Sequence, residues 1–299
     1  MTSTQVTEFE ALRPHLMAVA YRVTGTVADA EDIVQEAWLR WDAQERSTIA
    51  DLRAWLTTVV SRLGLDRLRS AAHRHETYTG NWLPEPVVTG FDDADPLSAV
   101  VAREDARFAA MVVLERLSPD QRVAFVLHDG FSLPFADVAD VLGTNEPAAR
   151  QLASRARKAV AAAPAPVPDP SHNEVVGKLM AAIASGDLKA VVALLHPDVT
   201  LTGDANGKAP TAINVIHGAD KVTRFLFGLA QRYGPAMFTS YQLGMVNGEL
   251  GAYTAGCPAS DGYREMMPRI MAMTVRDGKV CALWDVANPD KFTGSPLRA

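Results

Sequence analysis

Cysteine is almost missing from this chain: Cys257 and Cys281 are the only two among 299 residues. Two thiols build neither a disulfide framework nor a thiolate zinc cluster. No metal and no cofactor is expected. No apolar run reaches the roughly eighteen residues that a membrane helix needs. The opening "MTSTQVTEFEALRPH" lacks the basic-then-apolar layout of a secretion signal. The expectation is a cytoplasmic protein that spans no membrane. Positive charge is also short. The net charge is −6, whereas a protein that grips nucleic acid unaided is usually basic. The deficit is local: residues 76–106 carry one basic and seven acidic side chains, and the segments around them lie within one charge of neutrality. Since affinity for nucleic acid comes largely from neutralised phosphates, an autonomous DNA binder is disfavoured. If the chain reads DNA, a partner supplies much of the cationic surface.

What is present first is helical periodicity. "TVADAEDIVQEAWLRW" opens on Thr26 as an N-cap with Asp29 three residues on, close to a capping box. Ile33, Ala37 and Trp41 share one face with Val34 and Trp38, while Asp29, Glu31, Asp32, Gln35, Glu36 and Arg40 cover the rest. In "DLRAWLTTVVSRLGLDRLRSAAHR", Leu56, Val59, Val60, Leu63 and Leu68 are the apolar positions, with Arg62, Arg67, Arg69 and Arg74 on or near the other side. His73 and His75 read as solvated or close to phosphates. Residues 107–160 are again helical, and Leu133 to Val160 has helix-turn-helix spacing. Phe135, Val138, Ala139 and Leu142 form a short amphipathic helix, Gly143 the turn, and Thr144 or Asn145 the next cap, with Pro147 in the first turn. In the second helix Ala149, Leu152, Ala156 and Val160 face inward. Arg150, Gln151, Ser154, Arg155 and Lys158 face outward, and Arg and Gln suit bidentate contacts to base edges in the major groove.

Between the helical stretches lies "NWLPEPVV", Asn81 to Val88. Pro84 and Pro86 hold Leu83 and Glu85 extended. A solvated tether has no use for Trp82 and Leu83, so the protein's own domains are expected to cover both. "FDDADPLS" after it reads as loosely held. The proline-rich "AAAPAPVPDP", Ala161 to Pro170, reads as a semi-rigid spacer. Beyond it come two helices, a strand at "VTLTGD", a helix at "GADKVTRFLFGLAQRYG", and three or four strands with turns at Asn247-Gly248 and Asp277-Gly278. Cys257 and Cys281 fall on strands, and "REMMPRIMAMTV" is expected to alternate into a core or cavity. Helices followed by an antiparallel run indicate an α+β domain with a curved sheet.

"DAEDIVQEAWLRW", "RAWLTTVVSRLGLDRLR", "LERLSPDQRVAFVLHDGFSLPFADVADVLG" and "ARQLASRARKAV" together resemble a sigma factor of the sigma-70 family. The type is the compact extracytoplasmic-function class, which keeps only regions 2 and 4. The resemblance implies that Asp29 to Trp41 grip the clamp helices of the RNA polymerase β′ subunit. It implies that Arg53 to Arg69 open and read the promoter −10 element, and that Arg150 to Lys158 read the −35 element. The partners so implied are core RNA polymerase, through its β′ clamp helices and β flap, and promoter DNA; the free protein is expected to be a monomer. Arg62 stands where many members have Asn, and Pro147 falls early in the recognition helix.

The last part resembles a SnoaL-like domain, the cone-shaped α+β fold of nuclear transport factor 2 and ketosteroid isomerase. In the sigma factors that carry this fusion, the resemblance singles out three stretches. They are here Trp82, Leu83, Pro84, Glu85 and Pro86; "GDANGK" with Asp204 and Gly207; and Asn288, Pro289, Asp290 and Lys291. Ala205 and Asn206 replace glycines of the middle stretch. The expected architecture is multidomain: two all-α sigma domains (1–75 and 107–160), the acidic linker 76–106, the spacer 161–170, and the SnoaL-like domain 171–299.

The domain is read as a regulator in cis. The alternative is a SnoaL-type enzyme or ligand sensor fused to a DNA-binding regulator, with Asp198, Asp204, His217, Tyr241 and Asp285 as the groups to consider. A repressor that binds operators without polymerase fits less well, because it has no need of a polymerase-binding helix.

Overall fold

The computed structural model describes residues 3–44, 49–75, 78–91, 97–101, 106–162, 167–260 and 262–298, the side chains of 3–5 and 71–75 excepted. His73, Arg74 and His75, and most of "FDDADPLS", therefore lie outside the described side chains. The chain divides into two compact units. One comprises Met1–Thr77, Ala94–Ala106 and Ala110–Ala165; the other comprises Tyr78–Asp93, Arg107–Ala109 and Pro166–Ala299.

In the helical unit, α1 (Ser3–Thr24), α2 (Val27–Asp42) and α3 (Leu52–His75) pack together. Thr26 is the extended N-cap of α2, and its Oγ1 accepts from the Asp29 N–H at 3.2 Å. The capping is one-sided. The Thr26 N–H turns to Thr24 Oγ1, and the Asp29 carboxylate turns to Arg67 at 3.3 Å. Val27, Ala30, Ile33, Val34, Ala37 and Trp41 are the buried stripe, and Phe9 packs against both Trp38 and Trp41. Gly64 permits close approach of α3 to α1, since a Cβ there would lie 2.7 Å from Val23 Cγ1. Val100 and Val101 of α4 (Ser98–Val101) are buried against α1.

The helix-turn-helix part follows from α5 (Phe108–Leu114) and α6 (Pro119–Phe125). Ser118 and Gln121 form a reciprocal capping box at the start of α6. A π-helical turn, Val126–Gly130, which the periodicity did not foretell, leads to α7 (Phe135–Leu142). Gly143 takes the left-handed turn (φ 65°), and Asn145 Oδ1 caps α8 (Glu146–Ala162) by accepting from Ala148 N at 2.9 Å. Ala149, Ala153 and Ala156 are buried, with Leu152 and Val160 partly so. Phe135 departs from expectation: it is half-exposed and does not join Val138, Ala139 and Leu142 in the core.

The second unit holds α9 (His172–Ser185), α10 (Leu188–Leu194), β2 (Leu195–Asp204), β3 (Ile216–His217), α11 (Ala219–Tyr233), α12 (Ala236–Ser240), β4 (Gln242–Val246), β5 (Glu249–Thr254), β6 (Arg269–Arg276) and β7 (Lys279–Val286). With β1 (Val88–Thr89) they make a seven-stranded sheet in the order β1-β4-β5-β6-β7-β2-β3. Among the described residues, only the β2–β7 pairing is parallel. The Asn247-Gly248 and Asp277-Gly278 turns carry positive φ at both residues, the geometry that matches hairpin twist. Val176, Leu179, Val191, Leu201, Val222, Met271 and Leu283 are among the buried core between helices and sheet.

The methionine-rich stretch alternates into the core as expected, but its other face is buried too: all of β6 except Arg276 is buried. Met271 and Met273 face the helices, and Phe108 lies against Trp284 of the neighbouring strand at 5.5 Å. One expectation about the cysteines needs correction. Cys281 is buried on β7, but Cys257 lies outside the strands, in an isolated bridge to Met266.

Candidate functional site

Two constellations emerge, one in each unit. In the helical unit the arginines of α3 do not stand free. Arg62 pairs with Asp140 of α7 at 2.7 Å, and Arg69 with Asp120 of α6 at 2.9 Å. Arg67 meets Asp29 and Asp32 of α2 at 3.3 and 3.5 Å. So every arginine named for the −10 element has a carboxylate partner, two of them from the helix-turn-helix part. Exposed pairs of this kind contribute about 0–1 kcal/mol each and weaken with salt.

The contact beneath them is sturdier. Arg122 is 2% exposed; its Nε donates to Arg22 O at 3.0 Å and its Nη1 meets Glu115 at 2.8 Å. Gly25 admits this pair, since a Cβ at its φ of 81° would lie 2.4 Å from Glu115 Oε1. Arg22 lies over the Phe131 ring at 4.8 Å, and His15 meets the same ring edge-on.

On α2, Asp32, Gln35, Glu36 and Arg40 are exposed, and Asp29 and Glu31 half so. Arg40 and Glu36 pair at 2.6 Å along the helix. Leu39 sits among them 60% exposed, an apolar group that sequence reasoning overlooked because it breaks the polar face. On α8, Arg150, Gln151, Ser154, Arg155 and Lys158 are all exposed along one side. Arg150 pairs with Glu146.

In the second unit, the strip of Asn81 to Thr89 becomes part of the sheet. Val88 and Thr89 pair antiparallel with Val246 and Met245. Leu83 is 2% exposed, and Pro84, Glu85, Pro86, Val87 and Val88 are buried. Trp82, expected to be covered together with Leu83, is only half-buried. The two prolines bring no N–H to satisfy, and the amides of Leu83, Val87 and Val88 each find an acceptor. Leu83 N donates to Asp204 Oδ2 at 2.8 Å, Val87 N to Asn247 Oδ1 at 3.0 Å, and Val88 N to Gly294 O at 2.7 Å. Glu85 Oε1 accepts from Gly294 N at 2.9 Å.

Asp204 and Lys291 are the centre of this dock. Lys291 is 3% exposed; its Nζ donates to Asp204 Oδ2 at 2.7 Å and to Leu83 O, and lies 3.4 Å over the Trp82 ring. Tyr78 donates to Asp204 Oδ1 and accepts from Asn288 Nδ2. Burial and the Asp204 carboxylate push the Tyr78 hydroxyl well above its ordinary range, so it stays protonated and donating. Thus Trp82, Leu83, Asp204, Asn288 and Lys291 do come together. Gly207 and Asp290 are exposed at the margin, where Asp290 holds Lys208, and Pro289 only starts the short helical turn Pro289–Lys291. Tyr78, Asn247 and Gly294 were missed. Asn247 had been read only as a turn former, which gives no hint of its buried side chain.

The groups weighed for catalysis do not converge. Asp198 and His217 are exposed. Asp204 is committed to the linker. Asp285 lies 3.0 Å from buried Arg269 and accepts from Thr211. The cavity that Asp285 shares with Tyr241 leaves about 20 Å³, room for about one water.

The Sigma-70 region 2 pattern matches residues 9–74, the Sigma-70 region 4 pattern 107–160, and the SnoaL-like domain pattern 176–283. The chain is 77% identical over 297 residues to "ECF RNA polymerase sigma factor SigJ" of Mycobacterium tuberculosis, covering 98% of this chain and 95% of that protein. The chain belongs to the extracytoplasmic-function sigma factors. This sigma factor is also 30% identical over 300 residues to "Probable ECF RNA polymerase sigma factor SigI" of the same species, covering 97% of this chain and 95% of that one. Its fold matches the crystal structure of M. tuberculosis SigJ with a TM-score of 0.87 at 74% identity, over 98% of this chain and 100% of that chain. It is a transcription initiation factor and not an enzyme; the family binds core RNA polymerase and promoter DNA. Among the described residues, no helix is long and apolar enough to cross a membrane.

Proposed function

We propose that this sigma factor acts in the cytoplasm, monomeric when free, and is held off promoters by its own acidic groups until core polymerase engages it. The exposed face of α2, Asp32, Gln35, Glu36 and Arg40 around Leu39, is the surface for the β′ clamp helices, and the helix-turn-helix part approaches the β flap. Arg62, Arg67 and Arg69 serve the −10 element. Arg150, Gln151, Ser154, Arg155 and Lys158 serve the −35 element. The observation that carries the reading is the pairing of Arg62 with Asp140 and of Arg69 with Asp120. In it, carboxylates of the −35 reader occupy the cations meant for the −10 element. The SnoaL-like domain regulates in cis through its grip on the strip Trp82 to Pro86.

Run-off transcription with core polymerase on a random promoter library tests this. Asp120→Asn with Asp140→Asn removes two exposed pairs worth about 0.2–1 kcal/mol each, so output at limiting protein should rise about 2- to 30-fold. The gain should shrink in high salt, where the pairs are already screened. Unchanged output at low salt would refute the masking. Separately, Asp32→Lys with Glu36→Lys should abolish co-purification with core polymerase at unchanged helicity. Retained co-purification would place the polymerase surface elsewhere.

A further inference from the structure

Phe135 and His128 are absent from every role assigned so far, yet they form a column with the first exposed arginine of the recognition helix. The His128 and Phe135 rings stack at 3.7 Å between centroids, 25° from parallel. The Arg150 guanidinium carbon lies over the Phe135 ring at 4.6 Å. His128 is itself fixed, its Nδ1 lying 2.8 Å from Leu133 O. With the carbonyl able only to accept, Nδ1 carries the proton. The three members come from the π-helical turn, α7 and α8, so the column crosses the turn of the helix-turn-helix. Glu146, one turn earlier on α8, holds Arg150 from the side.

We propose that Phe135, backed by His128, is a positioning residue for base reading: it presets the Arg150 side chain in the orientation that meets a base edge. This rests on Arg150 reading the −35 element. An arginine has many rotamers, and ordering it on DNA costs affinity unless the free protein has already restricted them. Stacking suits this task. It engages the face of the guanidinium and leaves the N–H donors along its edge that Glu146 does not hold for acceptors such as guanine O6 and N7. It also accounts for the half-exposed aromatic at the start of α7, where the apolar periodicity predicts a core residue.

The test is promoter selectivity of the full chain with core polymerase, scored base by base in a library randomised across the −35 element. Arg150→Ala identifies the base position that Arg150 reads. Phe135→Leu keeps apolar bulk and removes the aromatic face. It should lower discrimination at that same position about 3- to 10-fold, with little change at the others and unchanged binding to core. Phe135→Trp, which restores a face, should recover most of it. In an Arg150→Ala background Phe135→Leu should cost nothing further, which a general loss of helix-turn-helix packing could not imitate. The proposal is overturned if Phe135→Leu leaves discrimination intact where Arg150→Ala destroys it. It is equally overturned if Phe135→Leu lowers transcription from all promoters alike, or adds its full loss to Arg150→Ala. If Arg150→Ala itself leaves selectivity unchanged at every position, base reading by Arg150 fails first, and the positioning role falls with it.

Discussion

Replacing Lys291 by Met should release the linker strip from the SnoaL-like domain. Lys291 is 3% exposed and its partner Asp204 fully buried. Deleting the cation leaves that carboxylate buried with, among the described residues, only the Tyr78 hydroxyl and the Leu83 N–H as donors. Removing one member of a buried pair typically costs about 3–5 kcal/mol, mostly through the charge left behind. The cost falls on the docked state, because undocking returns Asp204 to water. Hydrogen exchange reads this locally. Protection of the Leu83, Val87 and Val88 amides should fall far more than that of β6 and β7, which form the sheet centre. Lys291→Met with Asp204→Asn should lose less than Lys291→Met alone, since no buried charge is then stranded. Equal protection in the variant and the parent protein would mean that the pair does not hold the strip. If docking regulates the sigma regions, as proposed above, the same variant should shift run-off transcription several-fold.

That dock shows where sequence reasoning stops. The alternating prolines made the strip extended, and an apolar pair, Trp82 and Leu83, in an acidic stretch argued for a cover. Both inferences are local. The strand pairing of Val88 with Val246 joins residues far apart in the chain, and no periodicity reports a partner at that distance. Lys291 was named only through a family resemblance, because a lysine is almost never fully buried unless paired. By contrast, α2, α7 and α8 were legible almost residue by residue. Their apolar stripes repeat at helical spacing, and Thr26, Gly143 and Asn145 mark their ends by backbone chemistry that acts within four residues. Phe135 was misplaced for the same reason that α7 was found: its spacing fits the buried stripe, and only the neighbouring Arg150 and His128 reveal its other use. The paired state of Arg62, Arg67 and Arg69 lay beyond reach as well. A helical pattern shows which face carries charge but not which acids come to meet it.

Acid should weaken the helical unit through His15. Burial first, then the nearby Arg53 and Arg22, hold its pKa at about 4 instead of the ordinary 6.5. The neutral ring has a place to be: Nε2 lies 3.0 Å from Thr57 Oγ1, and the ring meets Phe131 edge-on. As pH falls below 6.5 the unfolded chain takes up the proton and the folded one does not, so protonation draws molecules toward the unfolded state. The stabilisation is therefore complete above pH 6.5, is lost progressively on the way down, and falls no further below about 4. A full shift of this size would correspond to roughly 3 kcal/mol. The ring is only partly buried, and solvent screening brings the expected loss to about 1–2 kcal/mol. His15→Gln keeps a hydrogen-bonding group near Thr57 and cannot charge. Urea unfolding of both proteins across this range should show the parent losing that much more than the variant, since all other titrating groups are shared. Parallel curves would remove His15 from the account. The charge would appear between α1 and α3, beside Arg22 and Arg53 and against Phe131, which follows the π-helical turn. Loosening there should carry over to the paired arginines of α3, so promoter binding by the free protein should rise in acid for the parent and stay level for His15→Gln.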